Sequence, residues 1–159
     1  TAHELACLLA VRSAYTVDEG QRGVILRHGA LSGQAGPGMH FKIPIIDAVE
    51  KISTRTKSRS YNQVLAYSRD QQPAALELSV TYRLPADKVV EIYTQFGGEE
   101  GLVTRVLDRR VLDEVKNGFG QFNAVPAIQD RARLVMEMTD SLRNAVNAPI
   151  IILSLQFEN

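Results

Sequence analysis

The hydrophobic period of this chain changes at Pro85, and that change restricts the fold more than any other feature. Before it, Ala74, Leu76, Leu78, Val80, Tyr82 and Leu84 alternate with Ala75, Glu77, Ser79, Thr81 and Arg83. A period of two with one apolar face predicts a half-buried antiparallel strand, entered from a turn at Arg69-Asp-Gln-Gln72. After it, Val89, Ile92, Tyr93 and Phe96 stand at i, i+3, i+4 and i+7, one stripe of a helix that Gly97-Gly98 stops. A second helix is predicted from about Glu99 to Lys116, with Val103, Leu107, Val111 and Val115 on its apolar side and Asn117-Gly118 as its stop. A third follows Asn123 as N-cap, with Pro126 in its first turn. Its stripe is Val125, Ile128, Ala132, Val135, Leu142 and Val146, with Thr139 in the gap; it faces the core or meets a partner helix. Pro149 ends it, and Ile150 to Phe157 reads as a closing strand.

From Ala14 to Ile52 the chain reads as short strands between turn signals. Gly23-Val-Ile-Leu26 favours β structure, and Gly29 to Gly38 supplies four glycines and a proline for a connection. Met39 to Ile46 is a second apolar run, with Pro44 confined to a strand end or edge. Strands first, then helices, then one strand give an α+β fold: a mostly antiparallel N-terminal sheet region, amphipathic helices and a closing strand. A doubly wound sheet would alternate instead. No internal repeat divides the 159 residues, a length that suits one continuous domain.

Charge narrows the function classes. Lys plus Arg and Asp plus Glu are 18 each, which argues against a nucleic-acid binder with its basic excess. One cysteine, Cys7, offers no disulfide framework, and with His3, His28 and His40 it makes no zinc-ligand spacing. No metal or other cofactor is expected. Within this balance Lys51, Arg55, Lys57 and Arg59 occupy odd positions of an alternating segment, and no acid interrupts from Lys51 to Arg69. Such a stripe is a solvated strand face, or a surface for anionic headgroups or an acidic neighbouring protomer.

The stretch Gly36-Pro-Gly-Met-His-Phe-Lys-Ile-Pro44 invites a catalytic reading and fails it. A Walker loop needs GxxxxGK followed by Ser or Thr, whereas Gly38 is followed by Met-His-Phe-Lys. No GxSxG elbow exists to supply a nucleophile, and Cys7 sits in an apolar run that stabilises no thiolate. Carboxylates such as Asp108 stand beside basic neighbours, and none forms a marked pair. The chain is therefore not expected to be an enzyme. Gly36, Pro37 and Gly38 instead make a structural turn, and His40 a hydrogen-bonded structural histidine.

Tyr15-Thr-Val-Asp-Glu-Gly-Gln-Arg-Gly-Val-Ile-Leu-Arg27, followed by the Gly36 to Pro44 stretch, resembles the start of the SPFH domain, also called the prohibitin-homology or Band 7 domain, of stomatins, prohibitins and flotillins. The resemblance covers roughly Ala14 to Asn159 and is greatest to prohibitin-type proteins, through Ser68-Arg-Asp-Gln71 and Arg105-Val-Leu107. It implies a non-enzymatic, membrane-associated scaffold subunit that oligomerises into large ring- or cage-like assemblies. Such assemblies organise membrane microdomains and regulate membrane-anchored AAA+ quality-control proteases. The implied partners are related subunits, membrane lipids and an AAA+ protease, with no nucleic acid. The implied location is a membrane of the bacterial or mitochondrial inner type. A soluble or peripheral adaptor that binds a protease without forming a cage is the alternative.

The resemblance also divides the chain. Residues 14–159 are expected to form the domain. Residues 1–13, with apolar Leu5-Ala-Cys-Leu-Leu-Ala-Val11, are expected to be the remnant of, or linker from, an N-terminal membrane anchor. A chain that starts at Thr1 and not at methionine is in turn expected to be a fragment or a processed product. No catalytic residue is carried over. Phe41, Lys42, Ile43, Pro44, Ile45 and Ile46 are placed near the bilayer, with Lys42 meeting phosphates; burial of the four apolar side chains in the core is the competing expectation. Lys51, Arg55, Lys57 and Arg59 become candidates for contact with a protomer or with headgroups.

Overall fold

A computed structural model describes residues 2–158 of the chain. It has the α+β order expected, built as two compact units that each take two stretches of sequence. The first holds the chain up to Arg55 together with Leu84–Glu99; the second holds Thr56–Arg83 and the chain from Glu100 onward.

In the first unit, helix α1 (Ala2–Ser13) leads into strand β1 (Ala14–Val17), which pairs antiparallel with β4 (Gly38–Phe41). A three-stranded antiparallel sheet has the order β3-β2-β5, from β2 (Gln21–Arg27), β3 (Ala30–Ala35) and β5 (Asp47–Ser53). After a 3-10 turn at Ala86–Lys88, α2 (Val89–Phe96) packs against β2 and β3. Val24, Leu26, Leu84, Val89 and Ile92 are buried there. Gly97 ends α2 in the left-handed conformation, φ 75°, and its N–H bonds the Tyr93 carbonyl, as the glycine stop predicts.

Strand β3 corrects the reading of Gly29 to Gly38 as a connection. His28 and Gly29 both have positive φ, 51° and 77°, so two residues suffice to reverse the chain in the manner of a primed hairpin turn. Backbone pairing with β2 then holds a strand that its glycines alone would not favour. Met39 to Ile46 is likewise not one strand: β4 ends at Phe41 and the chain turns before β5.

The second unit is a helical layer on an antiparallel sheet of order β6-β7-β8, from β6 (Lys57–Tyr67), β7 (Pro73–Arg83) and β8 (Ile151–Phe157). The alternation of β7 is realised, with Leu78, Val80 and Tyr82 buried and Glu77 and Arg83 exposed. The second predicted helix consists of α3 (Glu99–Leu102), a π turn at Val103–Leu107 and α4 (Asp108–Phe119). Its apolar positions recur every four residues, and on an ideal helix each such step drifts by about 40°. The π turn, in which Asp108 N–H bonds the Val103 carbonyl, absorbs an extra residue. Val103, Leu107, Val111 and Val115 are all buried as a result.

Two helix boundaries differ from expectation. Asn117-Gly118 does not stop α4, because Gly118 serves packing: a Cβ there would lie 3.0 Å from Met138 Cγ on α6 (Arg131–Ala145). The third predicted helix is two, α5 (Ala124–Gln129) and α6, broken where Asp130 leaves helical geometry and accepts a bond from Arg133 N–H. The break rotates the buried stripe to Ala127, Leu134, Met138, Thr139 and Leu142, while Val125, Ile128 and Ala132 face outward. Helix α6 also covers the β8 edge, where Arg143 donates to the Ile152 and Leu153 carbonyls and Arg131 to that of Phe157. That occupies backbone acceptors an open edge would offer to another strand.

Candidate functional site

The Phe41 to Ile46 segment is an outward-facing turn, which overturns its burial in the core. Phe41, Ile43 and Ile45 are exposed, Ile45 to 98%. Lys42, Pro44 and Ile46 are half-buried. The turn is tied down at both ends. Lys42 N–H donates to the Ser13 carbonyl at 2.6 Å, joining it to the end of α1, and His28 N–H donates to the Ile46 carbonyl at 3.0 Å. Between them Ile43 and Asp47 bond reciprocally: Asp47 N–H to the Ile43 carbonyl, and Ile43 N–H to Asp47 Oδ2, both at 2.9 Å.

Asp47 is buried, and Arg27 completes its shell with Nε at 2.9 Å and Nη2 at 3.3 Å. The Arg27 hydrogen bond, followed by that from Ile43 N–H, holds the Asp47 carboxyl below the usual carboxylate range against the cost of burial. This clamp maintains an unusual backbone. Ile45 has φ 74°, a left-handed conformation that a β-branched residue adopts only under constraint, at a cost of about 1–3 kcal/mol. A strained, fully exposed isoleucine contributes nothing to the core.

Helix α1 adds to the same surface. None of its residues is buried, and Leu5, Leu8, Leu9 and Val11 are exposed. Arg12, Leu9, Lys42, Pro44 and Ile45 line one hollow, and Leu5, Leu8, Leu9, Arg12 and Ile45 line another beside it. No helix among the described residues is long and apolar enough to cross a membrane. Burying one such leucine or isoleucine is worth about 1.5–3 kcal/mol.

Beside β4 the chain turns a corner at Pro37, and Gly38, where the strand begins, has φ 122°. His40 Nε2 donates to the Gly36 carbonyl at 2.7 Å, and its ring stacks on Tyr15 at 5.6 Å. The histidine braces the corner. Among the described residues no three His, Cys, Asp or Glu side chains converge to hold a metal.

The basic stripe is not one strand face. Lys51 lies on β5, Arg55 in the following loop, and Lys57 and Arg59 on β6 of the second unit. Arg55 lies against Gly20, where a Cβ would meet its guanidinium. Arg59 is committed within the chain: Nε and Nη2 donate to Asp108 at 2.6 and 2.7 Å, and Tyr61 Oη donates to the same carboxylate at 2.7 Å. Burial, and then the bond to Asp108, push the Tyr61 phenol well above its ordinary range. Asp108 opens α4 directly after the π turn that contains Arg105-Val-Leu107, so this cluster fixes α4 to the sheet.

Ser68-Arg-Asp-Gln71 forms a second fastening. Ser68 is 1% exposed; its hydroxyl donates to Asp70 Oδ1 at 2.5 Å and accepts from Gln72 N–H at 3.0 Å. Asp70 Oδ1 also accepts from Ala124 N–H at 3.0 Å, capping α5 from the β6–β7 turn, whereas Asn123 makes no side-chain cap. Sequence spacing points to the local Asn123 as the cap. The actual cap is 54 residues away, and only the fold brings it there.

With this geometry in place, comparison with known proteins gives consistent results. The profile of the SPFH domain / Band 7 family matches residues 15–159. The modulator of FtsH protease HflC from Escherichia coli K12 is 24% identical over 140 residues, covering 83% of this chain and 42% of that protein. Mitochondrial prohibitin-3 from Arabidopsis thaliana is 28% identical over 137 residues, 82% of this chain and 47% of that protein. Protein HflC from Buchnera aphidicola is 23% identical over 150 residues, 89% of this chain and 48% of that protein. The chain thus spans less than half the length of these curated relatives.

Proposed function

This chain belongs to the SPFH domain / Band 7 family, and from that premise we propose that it acts as a membrane-associated, non-enzymatic scaffold subunit. It oligomerises with related subunits into ring- or cage-like assemblies that organise membrane microdomains and regulate a membrane-anchored AAA+ protease. The observation that carries the reading is the outward apolar surface of α1, Phe41, Ile43 and Ile45, held in a strained turn by Asp47 and Arg27. Exposed apolar patches of this kind mark membrane or protein contact, and the turn supplies no core packing in return for its strain. Residues 1–13 then serve as the approach to the membrane. The similarity to a modulator of FtsH protease supports a protease as the regulated partner.

The test is the particle mass and composition of the protein extracted from its native membranes in mild detergent. A megadalton-scale particle carrying a protease supports the scaffold. A monomer or dimer released by a salt wash overturns it in favour of a peripheral adaptor.

A further inference from the structure

The apolar surface of the first unit carries two cations whose placement bears on which lipid it meets. Arg12, in the last turn of α1, and Lys42, at the start of the turn, line the same hollow with Leu9, Pro44 and Ile45. Neither forms an ion pair among the described residues, unlike Arg27 and Arg59, which are committed to Asp47 and Asp108. The hollow measures about 270 Å³, several times the roughly 30 Å³ share of a water molecule. Both cations therefore line one hollow with room for an oxyanion group. The sole acid on α1 among the described residues, Glu4, is eight residues from Arg12, about 12 Å along the axis. The two charges also outweigh the roughly half negative charge of the α1 C-terminus.

On the other side of Arg12 and Ile45, the second hollow is walled by Leu5, Leu8 and Leu9. A charged slot opening onto an apolar shelf has the two-part chemistry of a phospholipid: anionic phosphate on one side, acyl chain on the other. The Lys42 main chain is fixed to the end of α1 by its bond to the Ser13 carbonyl, so the backbone positions from which the two cationic side chains extend are set before any ligand arrives.

We propose that Arg12 and Lys42 form a phosphate-binding site for an anionic phospholipid whose acyl chain lies on Leu5, Leu8, Leu9 and Ile45. This rests on the membrane-facing reading of the same surface and adds selectivity to it. The apolar residues give attachment to any bilayer, and the two cations give preference for negative headgroups.

The experiment is co-sedimentation of the protein with vesicles of phosphatidylcholine alone, and with roughly one third replaced by phosphatidylglycerol, each basic residue near such a surface being worth about fivefold in binding. Tighter binding to the anionic vesicles is expected, falling about fivefold in Arg12→Gln or Lys42→Gln and about 25-fold in the double variant. The charge-keeping pair Arg12→Lys with Lys42→Arg should retain the preference, which separates loss of charge from loss of fold. Equal binding to both vesicles, or a preference that survives the double glutamine variant, overturns the phosphate site while leaving the apolar attachment standing. Binding to neither vesicle removes the membrane reading itself and the site with it.

Discussion

The Arg59–Asp108–Tyr61 cluster gives the sharpest test of how the second unit is held, because the same arginine was a candidate for contact between protomers. Asp108→Ala removes three short bonds at once and leaves the buried Tyr61 hydroxyl and the Arg59 guanidinium without their acceptor. Breaking a fully buried pair from one side costs about 3–5 kcal/mol, and an exposed pair is worth less than about 1 kcal/mol. The Arg59 side chain is 41% exposed and that of Asp108 23%, so solvent screening places the loss between these limits, at about 2 kcal/mol. For a domain of this size that lowers Tm by roughly 4–8 °C. Arg59→Ala should cost less, about 1 kcal/mol, because the Tyr61 bond to Asp108 survives. The double variant should show a coupling energy of about 1 kcal/mol in a thermal-denaturation cycle. Additive effects, or an Asp108→Ala variant within about 0.5 kcal/mol of the parent, would refute the intrachain role. If Arg59→Glu then reduced particle size at unchanged Tm, the arginine would be a protomer contact after all.

Three further outcomes follow from other parts of the structure. Ile45→Gly should leave Tm unchanged or slightly raised, because relief of about 1–2 kcal/mol of left-handed strain offsets the added chain entropy of about 0.5–1 kcal/mol. Its binding to vesicles should nonetheless fall by about tenfold or more through loss of the buried side chain; unchanged binding would remove Ile45 from the membrane surface. Asp47 has a depressed carboxyl, so its contribution is present in full above the ordinary aspartate value of about 3.9 and is lost as pH falls through the lower folded value. The protection of the Ile43 amide against exchange, taken relative to its intrinsic rate at each pH, should therefore fall in that acidic window but stay constant between pH 5 and 7, and in Asp47→Asn that protection should no longer titrate. Leu107→Ala, at a fully buried position of the π turn, should cost about 2–5 kcal/mol by chemical denaturation; a loss below about 1 kcal/mol would mean the π turn repacks.

What the sequence determined by itself is the order and type of elements wherever hydrophobic period and punctuation agree. The β7 alternation, the α2 stripe with its Gly97 stop, and the closing strand β8 are all set by side chains a few residues apart. A solvent-facing and a core-facing side must differ in polarity whatever the rest of the chain does.

Tertiary structure decided whatever depends on distant residues or on which side of an element meets the core. Asp70 caps α5 only because the β6–β7 turn lies against that helix end, and Gly118 continues α4 only because Met138 packs there. The break at Asp130 turned Val125 and Ile128 outward, though their spacing fits a buried stripe. Strand β3 exists because β2 offers it backbone partners, a gain that glycine propensity does not register. The basic stripe was divided by a loop, and Arg59 found an acid 49 residues away in its own chain. Above all, an apolar run such as Phe41 to Ile46 carries the same hydrophobicity whether it ends in a core or on a surface. The ties at its two ends, Lys42 to Ser13 and His28 to Ile46, and the clamp of Arg27 on Asp47 hold it outward, because hydrophobicity scales with area and carries no direction.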